Sequence, residues 1–277
     1  MLFRSNCHDG DGDSPGANEP YWDATGGLWC PFHTYRVSGD ARPTYGSLLG
    51  NLNATRRLAS LNLSLPGCWA YADMMEIGVT ATGGMHDCGP TGNDTCVPLS
   101  VTEARTHFGA WAIVSSPLVL GFDLRDGEML DRHWQTITNT DAIAINHDYA
   151  GHSGSLMAHS EEQTTLPACD WKAGVSCEWP LWMAWHKPLS GRDARGSIAA
   201  ILLMNNGDES VDSVCVPWIA VPGLPDGTTS CQLYDVWERK VLGRSASSAN
   251  LCSAPLASRE SAFLTLSDCH RSETASH

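Results

Sequence analysis

The chain has 277 residues, 42% of them hydrophobic and 17% charged, which is enough apolar material for one large domain or two ordinary ones and excludes a disordered chain. Its 31 acids against 17 bases leave a formal charge of −14 at pH 7, with no basic run to offset it. Such a surface repels phosphate backbones, so nucleic acid is excluded as a partner.

The opening "MLFRSNCHDG" turns polar too early for the apolar stretch of a secretory leader. In "CHDGDGDSPG", Asp9, Asp11 and Asp13 have the spacing of a calcium loop. Ser14, however, stands at the turn glycine and Pro20 at the bidentate glutamate, so a polar loop without metal is expected. In "TYRVSGD", Arg36 lies four residues before Asp40. On a helix face this would be a plain ion pair. Val37, Ser38 and Gly39 are poor helix formers, so a loop after a strand is the other reading. In a parallel barrel such loops collect catalytic groups.

"ARPTYGSLLGNLNATRRLASLNL" places Leu48, Leu49, Leu52, Leu58 and Leu61 near helical spacing, and Pro66-Gly67 ends the pattern. "CWAYADMMEIGV" reads as a strand, followed by a Gly- and Cys-rich loop over residues 80–98. "SVTEARTHFGAWAIV" predicts a helix with Ser100 and Glu103 as its capping box and Ala104, Phe108, Trp111 and Ala112 on its apolar face. "PLVLGFDL" reads as a second buried strand, and "TDAIAINHD" follows a short helical stretch. Alternating strands and helices predict a parallel α/β sheet. The longest apolar run, "WAIVSSPLVLGF", is about half of what a bilayer requires and is broken by Ser-Ser-Pro, so no membrane span is expected.

Near Gly151 the texture changes, dividing the chain into 1–150 and 151–277. "GHSGS" nearly matches a Gly-x-Ser-x-Gly nucleophile turn, but Ser155 replaces the last glycine and no helix follows. "LWMAWHKPL", "GSIAAILLMNN", "SVCVPWIAV", "SCQLYDVWER" and "SAFLTLSD" are short β runs separated by turn residues, the pattern of an antiparallel sandwich.

Eleven cysteines occur without any CxxC pair. Their near pairs, Cys88 with Cys96, Cys169 with Cys177, Cys215 with Cys231 and Cys252 with Cys269, predict local disulfides and an oxidising compartment. Cys68 is left as a free buried thiol. Three glycosylation sequons, at Asn53, Asn62 and Asn93, agree with a secreted or lysosomal/vacuolar-type lumenal protein. A secreted-looking body without a leader leads to the expectation of an incomplete chain.

Taken together, "SNC", "RVSGD", "CWAYADMMEIG", "EARTHFGAWAIVSSPLVLGFDLRD", "AIAINHDYAG" and "LYDVWERKVLG" resemble, in order, segments of glycoside hydrolase family 27, the α-galactosidase and α-N-acetylgalactosaminidase group. The resemblance implies the C-terminal half of a (β/α)8 barrel, strands five to eight, over 1–150, followed by an antiparallel β-sandwich over 151–277. It implies Asp40 as general acid/base and Arg36 as ligand to a sugar hydroxyl and the neighbouring carboxylate. Asp73 and Met74 would line the pocket, and Cys7 and Cys30 would form a disulfide. The implied substrate is a terminal α-linked galactoside or related glycan; no cofactor or metal is implied, and a homodimer stays open.

Retaining glycosidases use two carboxylates about 5 Å apart, one as nucleophile and one as acid/base. A like charge nearby helps to raise the acid's pKa. In the family the nucleophile belongs to a Lys-x-Asp-x-Cys motif. The only lysines here are Lys172, Lys187 and Lys240, and none fits that motif. The expectation is therefore an acid/base without its nucleophile. The alternative is a non-catalytic carbohydrate-binding or structural relative, for which "YAD" and "HDG" depart suitably from the family's usual residues.

Overall fold

The computed structural model describes residues 5–6, 20–80, 99–166, 176–246 and 250–271. Cys7, the acidic loop with Asp9, Asp11 and Asp13, Cys88, Cys96, Asn93 and Cys169 lie outside them.

The first part is built on parallel strands. Strand β1 (Ser5–Asn6) pairs with β4 (Thr34–Arg36), and β4 with β5 (Trp69–Tyr71), in the sheet order β1-β4-β5. Between β1 and β4 stands a small antiparallel hairpin, β2 (Tyr21–Trp22) with β3 (Leu28–Trp29). Between β4 and β5 the leucine pattern forms α1 (Tyr45–Ala54) and α2 (Arg56–Ser60). Thr44 caps α1 by accepting from the Ser47 amide at 3.3 Å. The expected strand "PLVLGFDL" is reduced to one parallel bridge, Met75 to Leu120. Pro117 supplies no amide to a ladder, and Gly121 lies so close to the Met75 carbonyl that an added Cβ would stand 2.9 Å from it.

Helix α3 (Val101–Ile113) begins with the expected capping box, the Ser100 hydroxyl accepting from the Glu103 amide and the Glu103 carboxylate from the Ser100 amide. Ala104, Phe108, Trp111 and Ala112 are all buried, as the spacing predicts. Helices α4 (Gly127–Ile137) and α5 (Thr140–His147) follow, so "TDAIAINHD" is itself helical. Asp126 and Asn139 cap them.

The second part is antiparallel. Its strands are β6 (Ser155–His159), β7 (Gln163–Leu166), β8 (Cys177–Pro180), β9 (Trp182–Pro188), β10 (Ala199–Asn205), β11 (Cys215–Pro217), β12 (Thr228–Asp235), β13 (Lys240–Ala246), β14 (Asn250–Cys252) and β15 (Ser261–Arg271). Six form one sheet in the order β13-β12-β15-β10-β9-β6, while β11 pairs with β14 and β7 with β8. Every residue of β10 is buried, and its alternation sorts them. Ala200, Leu202 and Met204 join Phe108, Trp111, Trp185 and Phe263 in one core. Ala199, Ile201 and Leu203 join Val216, Leu251 and Leu264 in another. The large sheet is therefore covered by α3 on one face and by β11 and β14 on the other. At about 2 kcal/mol per large apolar side chain, this two-sided burial is the main source of cohesion.

Polar clamps reinforce the seam between the two parts. Arg259 spans Glu103 on α3 and Asp208 at 2.7 and 2.6 Å. Asp141 on α5 accepts from Arg195 at 2.8 Å, from the Tyr234 hydroxyl at 2.8 Å and from Arg239 at 3.2 Å. Fully buried Lys187 on β9 donates to the Ile145 carbonyl and, at 3.0 Å, to the Asn146 carbonyl, closing the C-terminus of α5. Burial pulls this lysine's pKa down to about 7.

Three disulfides differ from the expected pairings. Cys30 is bonded to Cys68, not to Cys7, and Cys68 is therefore no free thiol. Cys30 lies shortly before β4 and Cys68 immediately before β5, and the register of Thr34 with Trp69 brings these two strand entrances together. Cys215 bonds Cys252, and Cys231 bonds Cys269. Antiparallel pairing places Cys215 opposite Cys252, and β12 runs beside β15, so sequence neighbours give way to strand neighbours. Cys177 is also disulfide-bonded.

The "GHSGS" segment proves to be a packing turn. Gly154 has φ of +97°, and an added Cβ would stand 1.9 Å from the Ile113 carbonyl oxygen at the end of α3. Replacing Gly154 by alanine is expected to cost about 3 kcal/mol or more, through backbone strain and collision together. A urea midpoint close to that of the unaltered protein would contradict this packing.

Candidate active site

Arg36 is the last residue of β4, and Asp40 follows on the loop that leaves its C-terminal end. Asp73 follows the C-terminal end of the adjacent strand β5. Parallel pairing thus puts both acids on the same side of the sheet, the side where such folds gather chemistry. The loop reading of "TYRVSGD" holds, and the ion pair forms as well: Arg36 Nη2 donates to Asp40 Oδ1. The same nitrogen lies 3.4 Å from Asp73 Oδ2. Arg36 Nε donates to the Ser38 carbonyl at 3.0 Å, which fixes the guanidinium within its own loop.

Exposure separates the two carboxylates. The Asp40 side chain is 77% exposed, whereas that of Asp73 is 11% exposed. Asp73 Oδ2 accepts from the Ala41 amide at 2.8 Å, so this buried acid grips the residue next to Asp40. Asp73 itself has φ of 76°, a left-handed conformation costing about 1 kcal/mol or more outside glycine. Its carbonyl accepts from the Trp111 indole at 2.8 Å. Met74 is exposed next to it.

Several supporting residues escaped the sequence reading. Asn51 on α1 donates its side-chain amide to the Gly39 carbonyl at 3.1 Å and to the Ala72 carbonyl at 3.0 Å. These are the residues immediately before Asp40 and Asp73, so one buried amide ties the two loops together. The Ser116 hydroxyl accepts from the Ala72 amide at 3.1 Å. Asn146 donates to the Ser116 carbonyl at 2.8 Å and to the Trp111 carbonyl at 3.2 Å. Asn51 sits in a leucine-rich helix, and only its amide among apolar neighbours could have drawn attention.

Glu76 is buried with Oε2 unpaired among the described residues. Burial first, and the charge of Asp73 second, push its pKa up to about 8, against a smaller opposing effect of Arg42. It is therefore protonated at neutral pH. A lone acid inside "MMEIGV" was the available signal. Among the described residues no group of His, Cys, Asp and Glu could hold a metal ion.

Residues 182–266 match the family model described as the alpha galactosidase C-terminal beta sandwich domain. The α-galactosidase of Lachancea cidri is 30% identical over 203 residues, covering 69% of this chain and 35% of the relative. That of Cyamopsis tetragonoloba is 26% identical over 206 residues, covering 74% of this chain and 38% of the relative. The chain belongs to the α-galactosidase family, glycoside hydrolase family 27. It spans little more than a third of the length of these two relatives.

Solved structures agree on the family fold. α-Galactosidase I from Mortierella vinacea superposes with a TM-score of 0.62 at 18% identity, covering 87% of this chain and 55% of that one. A family 27 β-L-arabinopyranosidase from Geobacillus stearothermophilus gives 0.63 at 17% identity, covering 89% and 46%. The family match, over residues 182–266, falls within the antiparallel sandwich expected after Gly151.

Two outcomes check this geometry. Replacing Asn51 by leucine strands the buried Ala72 carbonyl and the part-buried Gly39 carbonyl and is expected to lower stability by about 2–3 kcal/mol, read as a lower urea midpoint at unchanged slope. The raised pKa of Glu76 has a definite sign: between about 4.5 and about 8 the unfolded chain releases this proton while the folded chain retains it, so stability falls as pH rises through that window. Glu76→Gln should accordingly raise the melting temperature at pH 8 and leave it nearly unchanged at pH 4. An equal shift at both pH values would show that the acid is ionised in the fold.

Proposed function

We propose that the chain is the acid/base-bearing part of a retaining glycosidase acting on terminal α-linked galactosides, with the parallel strands corresponding to strands five to eight of the family's barrel. The observation that carries this reading is the Arg36 guanidinium shared between exposed Asp40 and buried Asp73 at the ends of adjacent parallel strands.

Asp40 would protonate the glycosidic oxygen as it leaves and then take a proton from the water that releases the sugar. Arg36 holds the Asp40 loop and would reach a sugar hydroxyl, while Asp73 and Met74 would border the pocket. Attack on the anomeric carbon needs a second ionised carboxylate on the opposite face of the sugar. Asp73 is committed to Arg36 and the Ala41 amide, and Glu76 is buried and protonated. Neither suits that role, and the sequence contains no Lys-x-Asp-x-Cys motif. The nucleophile would belong to a segment of that kind, and the chain alone would bind sugar with little turnover. This engagement of Asp73 also favours the second reading, a relative that binds carbohydrate without hydrolysing it. The disulfides Cys30–Cys68, Cys215–Cys252 and Cys231–Cys269 support a secreted or lumenal location.

The test uses a nitrophenyl α-galactoside with the chain and with Asp40→Asn. The expected result is trace hydrolysis by the chain, together with galactoside binding detected by titration calorimetry. Robust turnover abolished in Asp40→Asn would show a nucleophile within this polypeptide; robust turnover surviving the change would remove Asp40 from the mechanism.

A further inference from the structure

We propose that the chain carries an N-linked glycan on Asn62, whose first sugar lies over the exposed apolar surface of Trp22 and Leu61. The proposal is independent of the glycosidase chemistry and rests on passage through the oxidising compartment indicated by the disulfides.

The sequon Asn62-Leu63-Ser64 falls where helix α2 ends. The Leu63 amide donates to the Leu58 carbonyl at 3.0 Å and the Asn62 amide to the Ala59 carbonyl at 3.2 Å. These two bonds close the helix in a Schellman turn, with Asn62 at φ of 50° as its left-handed residue. The backbone is thus held firmly while the side chain stands in solvent. Its oxygen accepts a long 3.4 Å bond from the Tyr149 hydroxyl, and its nitrogen, the atom that would carry the sugar, makes no hydrogen bond among the described residues.

The surroundings suit a sugar. The Trp22 indole N–H donates to the carbonyl of Leu61, the residue next to Asn62, at 3.0 Å. Trp22 is 44% exposed and Leu61 49% exposed. Together they form a small apolar surface within reach of anything attached to Asn62, and the C–H face of a pyranose complements an indole face. Covalent attachment holds that sugar at high local concentration, so even a weak contact is occupied.

Asn53 makes the opposite case. It lies in α1, half-buried, with its oxygen accepting from Arg56 at 3.0 Å. A glycan there would sit on a half-buried helical position and disturb the Arg56 contact, so folded material is expected to be bare at Asn53.

In the transfer step, the Asn62 Nδ2 attacks the anomeric carbon of an oligosaccharide carried on a polyprenyl pyrophosphate. The N–C bond forms, the C–O bond to pyrophosphate breaks, the lipid pyrophosphate leaves with the electron pair, and a carboxylate of the transferring enzyme takes the amide proton.

The experiment fuses the full chain to a secretion leader, recovers the secreted, disulfide-bonded protein from a eukaryotic host, and removes N-glycans with an amidase in heavy-oxygen water before peptide mapping. Heavy aspartate at position 62 with unlabelled Asn53 is expected. Unlabelled Asn62 in the secreted protein, or label at Asn53 in its place, overturns the proposal. Asn62→Gly, which keeps the left-handed turn, should lose the label and still be secreted. For the packing, deglycosylation should lower the melting temperature by about 2 °C in the unaltered chain and hardly change it in Trp22→Ala. Equal drops in both would overturn the contact with Trp22.

Discussion

The candidate site depends on Asp73 being held in a left-handed backbone conformation. Left alone, an aspartate would leave that region at a gain of about 1 kcal/mol or more. Here the carbonyl of Asp73 is held by the Trp111 indole, and the preceding residue by Asn51 and Ser116. The conformation turns the carboxylate onto the Ala41 amide and toward Arg36, and so sets the loop that bears Asp40. The proton transfers proposed for Asp40 would need such a rigid mount, because misplacement of a catalytic oxygen by an ångström costs much of the rate.

The mount reaches well beyond the parallel strands. Trp111 belongs to α3, which packs against α1, α4 and α5 and also against strands β9, β10 and β15 of the antiparallel sheet. Gly109 lies so close to Leu202 and Trp237 that an added Cβ would stand 2.9 and 3.0 Å from them. A glycine in mid-helix lowers helix propensity, and here it permits this approach. Lys187 supports α5 from β9, and Asn146 of α5 in turn supports Trp111 and Ser116. The sandwich is therefore part of the foundation of the site, and both share one apolar core.

The two acids beside Arg36 divide their work by environment. Asp40 faces water and a prospective ligand, while Asp73 is buried and accepts from fixed donors. Glu76, buried with one oxygen unpaired, stays protonated and adds no negative charge at neutral pH. One negative charge is thereby removed from the neighbourhood of Asp73, three residues away in the chain. A fold of this kind does not by itself dictate which ligand is bound; side chains and loops at the strand ends do.

Local patterns were legible in the sequence. The capping box of α3, the leucine spacing of α1 and α2, the β runs of the sandwich and the strand–loop setting of Arg36 and Asp40 all follow from interactions within a few residues, and spacing encodes these directly. Order along the chain also carried the family resemblance. Disulfide partners did not follow: Cys30 found Cys68 and Cys215 found Cys252 because strand pairing, which joins distant segments, overrode nearness in sequence. "PLVLGFDL" had the apolar content of a strand, yet proline and a close glycine left it one bridge. Asn51, Trp111 and Asn146 act through backbone carbonyls of remote loops, and a carbonyl leaves no mark in a residue code. The sequence by itself determined which segments are helix or strand and which acid is a candidate for proton transfer; only the tertiary structure decided what holds that acid in place, since those contacts exist only after the two sheets share a core.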